Sequence, residues 1–460
     1  MQTTLRPLLA FSMVTALLAA HGPALAERAS PDLERLEDQI RARDDRIEDL
    51  EAKMNVLVDE LTRLREAAAV PEVEGLEPLY GFGPAASKVF HVDRGLSIAG
   101  YGEVVYTNFV GDSAAGSTVS NGVLVSDEAL DRADALRLVF YFGYKFTDRI
   151  IFNSELEFEH GSTGGATITS GSGSVSVEFM TLDFLLTDWA NLRMGVLLPP
   201  MGFINEIHEP PFFLGVQRPE TERRILPTTW REVGVGLWGS LGETVQYRTY
   251  LVNGFNARGF SDSGIRGGRQ NGNRALAEDF AWVTRVDWFP ADGLELGGSI
   301  YWGDTGQDQE LMGRDLADGD LLIFEGHAQY RRGPLHLRGL FAMTNLADAG
   351  ELSRALMRAT NRPIADKTLG GYIEVGYDVW PLLFDSDMSL MPFVRVEYVD
   401  TQFKVPRGFT SNDLRSTWLT TAGVNFKPHP GVVLKLEYRN FDPRRGELPD
   451  ELGLGMGFAF

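Results

Sequence analysis

The last nine residues, Leu452-Gly453-Leu454-Gly455-Met456-Gly457-Phe458-Ala459-Phe460, put a large apolar side chain at every second position and almost nothing between. Successive side chains of a strand point to opposite faces. One face of this strand therefore suits hydrocarbon, and the other suits a crowded or water-filled interior. A strand of this kind that stops on an aromatic reads as the closing strand of a membrane barrel, not as part of a soluble core.

Upstream, the same period-two alternation marks sixteen segments in all, near 95–109, 134–147, 149–160, 174–187, 191–198, 230–240, 243–253, 279–289, 293–303, 320–332, 334–345, 368–380, 389–401, 415–427, 431–441 and 451–460. Connections after odd-numbered segments are mostly long (110–133, 161–173, 199–229, 254–278, 304–319, 346–367, 402–414). Those after even-numbered segments are mostly short, such as Asp148, Leu241-Gly242 and Gly333. Long loops at one end and tight turns at the other predict an all-β, 16-stranded antiparallel transmembrane barrel over 94–460, with both termini on the turn side. A two-sheet soluble sandwich would alternate similarly and is the alternative fold.

The segment 134–147 shows the two faces. Leu136, Leu138, Phe140, Phe142, Tyr144 and Phe146 form one row; Arg137 and Lys145 lie on the other. A basic residue facing lipid at the midplane costs roughly 2–4 kcal/mol, so the second row faces inward. The next segment points Glu155, Glu157 and Glu159 inward, where a water-filled lumen keeps them solvated. The same parity gives Asp183, Arg193, Arg248, Arg285, Asp287, Glu295, Glu325, His327, Arg331, Arg338, Glu374, Arg395, Glu397, Glu437 and Arg439 as candidate pore-lining residues.

The connection 199–229 reads PPMGFINEIHEPPFFLGVQRPETERRILPTT. It is stiff and aromatic and carries Glu206, His208, Glu209, Arg218, Glu220, Glu222, Arg223 and Arg224. Such a loop packs somewhere, either inward as a constriction or on the rim against a neighbour. His208 with Glu206 and Glu209 offers a cation site only in principle; ordinary constriction polarity is the simpler reading, and no cofactor or metal is expected.

Before the barrel, residues 1–26 read as a secretory signal: Arg6, an apolar run, then Ala24-Leu25-Ala26. Residues 31–66 carry heptads, with Leu33, Leu36, Ile40, Ile47, Leu50, Met54, Leu57, Leu61 and Leu64 on one seam and Arg43 interrupting it. The g-to-e′ pairs Arg46–Glu51 and Glu60–Arg65 are attractive in a parallel assembly. This predicts a self-associating coiled coil in the periplasm, without separating dimer from trimer; a single helix packed on its own barrel is the alternative. The Pro- and Gly-containing stretch 67–93 reads as a linker.

Composition narrows the function. The net charge of −21 argues against nucleic acid, and the absence of cysteine excludes disulfides and thiolate chemistry. His160 and His336 lie near strand ends, but no nucleophile signature accompanies them, so a lipid hydrolase or other enzyme is not expected. A plugged, energy-coupled transporter needs about 22 strands.

The stretch NLRMGVLLPPMGFINE (191–206), after VEFMTLDFLLTD (177–188), resembles the phosphate-selective porin O/P family. The strand count, the loop after strand five and the terminal aromatic resemble the trimeric porins of Gram-negative outer membranes more generally. The resemblance implies a homotrimer in outer-membrane lipid that passes small polar solutes or ions, and an inward arginine ladder that passes anions. Carboxylates are at least as numerous on the same faces, so the sign of selectivity stays open. A structural tether, in which the coiled coil binds peptidoglycan or another periplasmic partner, is a further alternative.

Overall fold

The computed structural model describes residues 39–56, 77–110, 118–120, 123–125, 131–161 and 173–460. The signal segment 1–26 lies outside them. The chain divides into two compact units, 1–69 and 70–460. In the first, helix α1 covers 39–56 and exposes Ile40, Ile47, Leu50 and Met54, the apolar row of the heptads. Leu33, Leu36, Leu57, Leu61 and Leu64 lie outside the described residues.

The second unit is a closed antiparallel barrel of sixteen strands. They are β1 (Gly95–Val110), β2 (Arg132–Thr147), β3 (Ile150–Glu159), β4 (Val175–Phe184), β5 (Asn191–Leu197), β6 (Glu232–Leu241), β7 (Val245–Asn253) and β8 (Phe280–Ala291). Then follow β9 (Leu294–Gly303), β10 (Leu321–Arg332), β11 (Leu335–Leu346), β12 (Lys367–Tyr377), β13 (Ser389–Lys404), β14 (Ser416–His429), β15 (Val432–Pro443) and β16 (Asp450–Ala459). Each pairs with its sequence neighbour, and β1 closes on β16 from Tyr101–Ala459 to Val110–Asp450. Phe460 completes the seam: its N–H donates to Gly100 O at 2.9 Å, and its own carbonyl accepts from Gly100 N at 3.1 Å.

The outward rows are apolar all round, as Leu138, Val235, Phe324, Val394 and Leu454 illustrate. Two belts of exposed aromatics bound them. Tyr144, Phe146, Trp189, Trp288 and Tyr377 lie toward the tight-turn rim; Tyr106, Trp282, Trp302, Trp418 and Tyr438 lie toward the long-loop rim. A transmembrane barrel needs this outer surface, since lipid cannot solvate polar groups and aromatics prefer the interface.

The interior is packed, which corrects the expectation of solvated wall carboxylates. Glu155 is 1% exposed and Glu157 2%. The long connections 199–229, 254–278, 304–319 and 346–367 and the segment 77–93 contribute residues to this buried interior. In that segment, expected as a linker, a 3-10 turn at Ala86–Phe90 lies against β1, β2 and β3. Asn153 Nδ2 donates to Ala86 O at 2.9 Å, and Phe82 packs on Phe179 at a 4.9 Å ring separation. The alternating glycines of β16 follow from the same filling. A Cβ on Gly457 would lie 2.4 Å from Pro210, and Cβ atoms on Gly453 and Gly455 would lie 3.3 Å from Val216. The bare face is therefore the bed of the 199–229 loop.

Candidate constriction

The loop 199–229 crosses the barrel and is fastened to strands far away in sequence. Glu437 on β15 accepts from Val216 N (2.8 Å) and Gln217 N (3.0 Å). Glu397 on β13 accepts from Glu220 N (3.0 Å) and Thr221 N (2.6 Å). Lys435 Nζ donates to Gly215 O at 2.7 Å, and Arg395 Nη2 to Gln217 O at 3.2 Å. On the opposite wall Arg248 Nη1 reaches Glu206 at 2.9 Å, and Arg285 Nη1 donates to Gly202 O. Glu222 closes the loop on itself, accepting from Phe203 N (2.8 Å) and Ile204 N (2.7 Å), with Tyr372 OH at 2.6 Å. A backbone inside a barrel must find partners there, and the wall's charged side chains supply them.

The sequence-predicted wall residues thus lie on the inner face, but most are covered. Arg193 is engaged by Asp183 (2.7 Å), and Arg395 by Glu374 (3.0 Å). Arg137 lies 3.3 Å from Glu103 and 3.6 Å from Glu157. Glu325 accepts from Ser299 Oγ at 2.6 Å, and Arg338 Nη2 reaches Gln329 at 2.8 Å. Lys145 donates to Val92 O at 2.9 Å. Glu159, Glu295 and Arg331 stay partly accessible.

Glu206, His208 and Glu209 do not converge. His208 Nε2 faces Glu155 at 3.3 Å, while Glu209 accepts from Ala85 N at 3.0 Å and Ala86 N at 3.4 Å. Burial pushes the Glu209 carboxyl up to about 8, partly offset by those N–H donors. Burial, with Arg218 and Arg137 nearby, pushes the His208 imidazole down to about 3. Among the described residues, Asp287, Glu295 and His327 bring ligand atoms within 4.8 Å of one another. Arg285 already stands among them, 2.8 Å from Asp287, 3.2 Å from Glu295 and 3.0 Å from His327.

The accessible charge in this region is basic. Glu220 answers three guanidinium groups: Arg223 (2.8 Å), Arg224 (2.5 Å) and Arg439 (2.7 Å). Burial opposes ionisation of its carboxyl, yet these cations hold it well below the usual range. Arg223 and Arg224 keep 19% and 16% of their side chains exposed, against 4% for Glu220. Arg266 and Arg269 reach in from the 254–278 connection. Arg266 Nη1 donates to Arg223 O at 3.3 Å, and Arg269 Nη1 to Thr229 O at 2.5 Å. Burial, then Arg269, Arg223 and Arg218, lowers the Arg266 guanidinium well below its ordinary value. The Nη2 of Arg218 is buried without a hydrogen-bond partner. The strand-end histidines sit beside charges: His160 Nδ1 lies 2.7 Å from Asp134, and His336 Nε2 lies 3.4 Å from Arg331 Nε.

No protein-family model matches the chain. Among solved structures it is similar to a Salmonella typhi OmpF complex with daunomycin, at 13% identity and a TM-score of 0.48 over 80% of this chain and 98% of that one. It is also similar to an anion-selective porin from Comamonas acidovorans, at 12% identity and a TM-score of 0.45 over 79% and 99%. The barrel described above rests on its own strand pairing, not on these likenesses. A protein of Aquifex aeolicus (strain VF5), described as uncharacterized, is 35% identical over 388 residues, covering 82% of each chain. At that identity and coverage, this chain and the Aquifex aeolicus protein belong to one family.

Proposed function

We propose that the chain is an outer-membrane porin, a passive channel for small hydrophilic solutes, with anions preferred over cations. One observation carries the reading: a closed sixteen-strand ring is apolar outside and is crossed inside by a loop whose accessible charges are guanidinium groups. The acidic total does not oppose this, because the wall carboxylates are spent on loop backbone and arginine partners. Fixed charge at the narrowest point selects ions by sign. The filled interior limits passage to small solutes. No catalytic chemistry is invoked.

In this reading residues 1–26 are removed on export and 94–460 span the membrane. Residues 31–66 assemble in the periplasm as the core of a homo-oligomer, a trimer by analogy with porins. The exposed apolar row of α1 supports the assembly. Planar-bilayer recording in asymmetric KCl tests the channel: discrete steps with a reversal potential on the chloride side are expected. Stable insertion without steps would overturn it. Arg223→Gln with Arg224→Gln, which removes the accessible guanidinium groups of the loop, is expected to lower the anion-to-cation permeability ratio by roughly two- to threefold.

A further inference from the structure

The turn between β12 and β13, residues 378–388, differs from its neighbours on the tight-turn rim. Asp378 Oδ1 ties its two ends, accepting from Trp380 N (3.0 Å) and Leu390 N (3.1 Å). A 3-10 turn at Trp380–Leu382 follows, and Trp380 Nε1 donates to Ser386 Oγ at 2.8 Å, closing the far side. The turn is thus built, not slack. At its tip, Leu382, Leu383 and Phe384 are 67%, 62% and 55% exposed. Three adjacent large apolar side chains in water would be an unfavourable choice for a turn.

Its orientation is set by aromatic contacts. Trp380 packs on Phe384 at 4.5 Å and on Phe426 at 5.6 Å. Phe426 belongs to the outward row of β14, with Trp418. The tip is therefore continuous with the apolar outer surface and turned away from the lumen. Asp385 and Asp387 follow it immediately, and burying them in hydrocarbon would be costly.

Resting on the membrane-barrel reading above, we infer that 378–388 is an interfacial foot: Leu382, Leu383 and Phe384 enter the acyl boundary of the leaflet on the tight-turn side, while Asp385 and Asp387 stay among the headgroups. An apolar face flush with a polar one at this depth is the arrangement of interfacial segments. The occupant is a lipid surface.

The absence of cysteine makes the test clean. Leu383→Cys in the full chain carries an environment-sensitive fluorophore, and Val396→Cys carries the same label in the outward row of β13. Leu382→Cys serves as a second tip position. The proteins are reconstituted in phosphatidylcholine vesicles holding nitroxide lipids, with iodide on both sides. At the tip, quenching by a nitroxide near the headgroups is expected to exceed that by one at the chain end by roughly twofold; at Val396 the order reverses. Iodide quenching of both tip labels, with Val396 still quenched by lipid, overturns the foot and leaves the barrel reading intact. Tip labels shielded from both lipid and iodide mean that a second copy covers the turn, which also overturns it. If Val396 meets no lipid, the membrane-barrel reading itself fails.

Discussion

Glu437 shows how one side chain changes role when the covering element is seen. Strand parity places it on the inner face beside Arg439, and nothing in the sequence tells whether water or protein meets it. The 199–229 loop meets it, and both carboxylate oxygens accept backbone N–H groups. Removing the acceptor leaves those donors buried, at about 1–3 kcal/mol each. Glu437→Ala is expected to undock the 213–217 stretch, seen as faster protease cleavage there and a larger, noisier single-channel current. Gly457 acts from the other side. Gly457→Val puts a branched side chain where Pro210 sits 2.4 Å from an ideal Cβ. Overpacking of about 1–3 kcal/mol is expected, with the same direction of change in current.

His208 and Glu209 give the loop a pH dependence with two limbs. The imidazole's folded value, about 3, lies below its ordinary 6.5. Its contribution is therefore present above pH 6.5 and is lost as pH falls toward 3. The Glu209 value, about 8, lies above its ordinary 4.5, so its contribution is present below 4.5 and is lost as pH rises through 8. Docking is expected to be firmest between these limits. Conductance noise recorded from pH 4 to pH 9 checks it, a range of about five units. Glu209→Gln is expected to abolish the alkaline limb alone.

At the scale of elements, the sixteen strands were legible because a barrel wall with lipid on one side preserves strict alternation. The long-short rhythm of connections was legible for the same reason. The prolines and aromatics of 199–229 showed a loop that packs, and left open whether it packs inward or on the rim. The fillers at 77–93 and 254–278 were not legible: the prolines and glycines of 77–93 read as a linker, and the glycine, arginine and polar residues of 254–278 compose a surface loop and a chain lying against a charged inner wall alike. Of the heptad segment 31–66, the described part, α1, exposes its apolar row, and mixed a and d residues do not fix a strand number. Leu50→Asp removes one apolar layer, worth roughly 1.5–3 kcal/mol per side chain. Loss of the oligomer by native mass spectrometry in detergent, with the barrel's heat stability unchanged, is expected.

For the whole molecule, the difference between total and accessible charge matters most. A count of −21 describes the chain. A permeating ion meets a subset of it, chosen by what the loop covers. The sequence alone left the sign open because inward arginines and inward carboxylates are similarly numerous. Wall residues of both signs are buried, and the proposed anion preference rests on the partly exposed Arg223 and Arg224 of the loop.

The fastening of the 199–229 loop also has a kinetic side. Its wall acceptors lie 177 and 221 residues further along the chain. Neither is in place until the last strands have joined the ring, and contacts of such long range form late and slowly. Maturation therefore divides into two events, hairpin-by-hairpin growth of the wall and then a single late latching of its contents. A newly inserted molecule would be transiently leaky, and the lifetime of that leak is the time the latch takes to close.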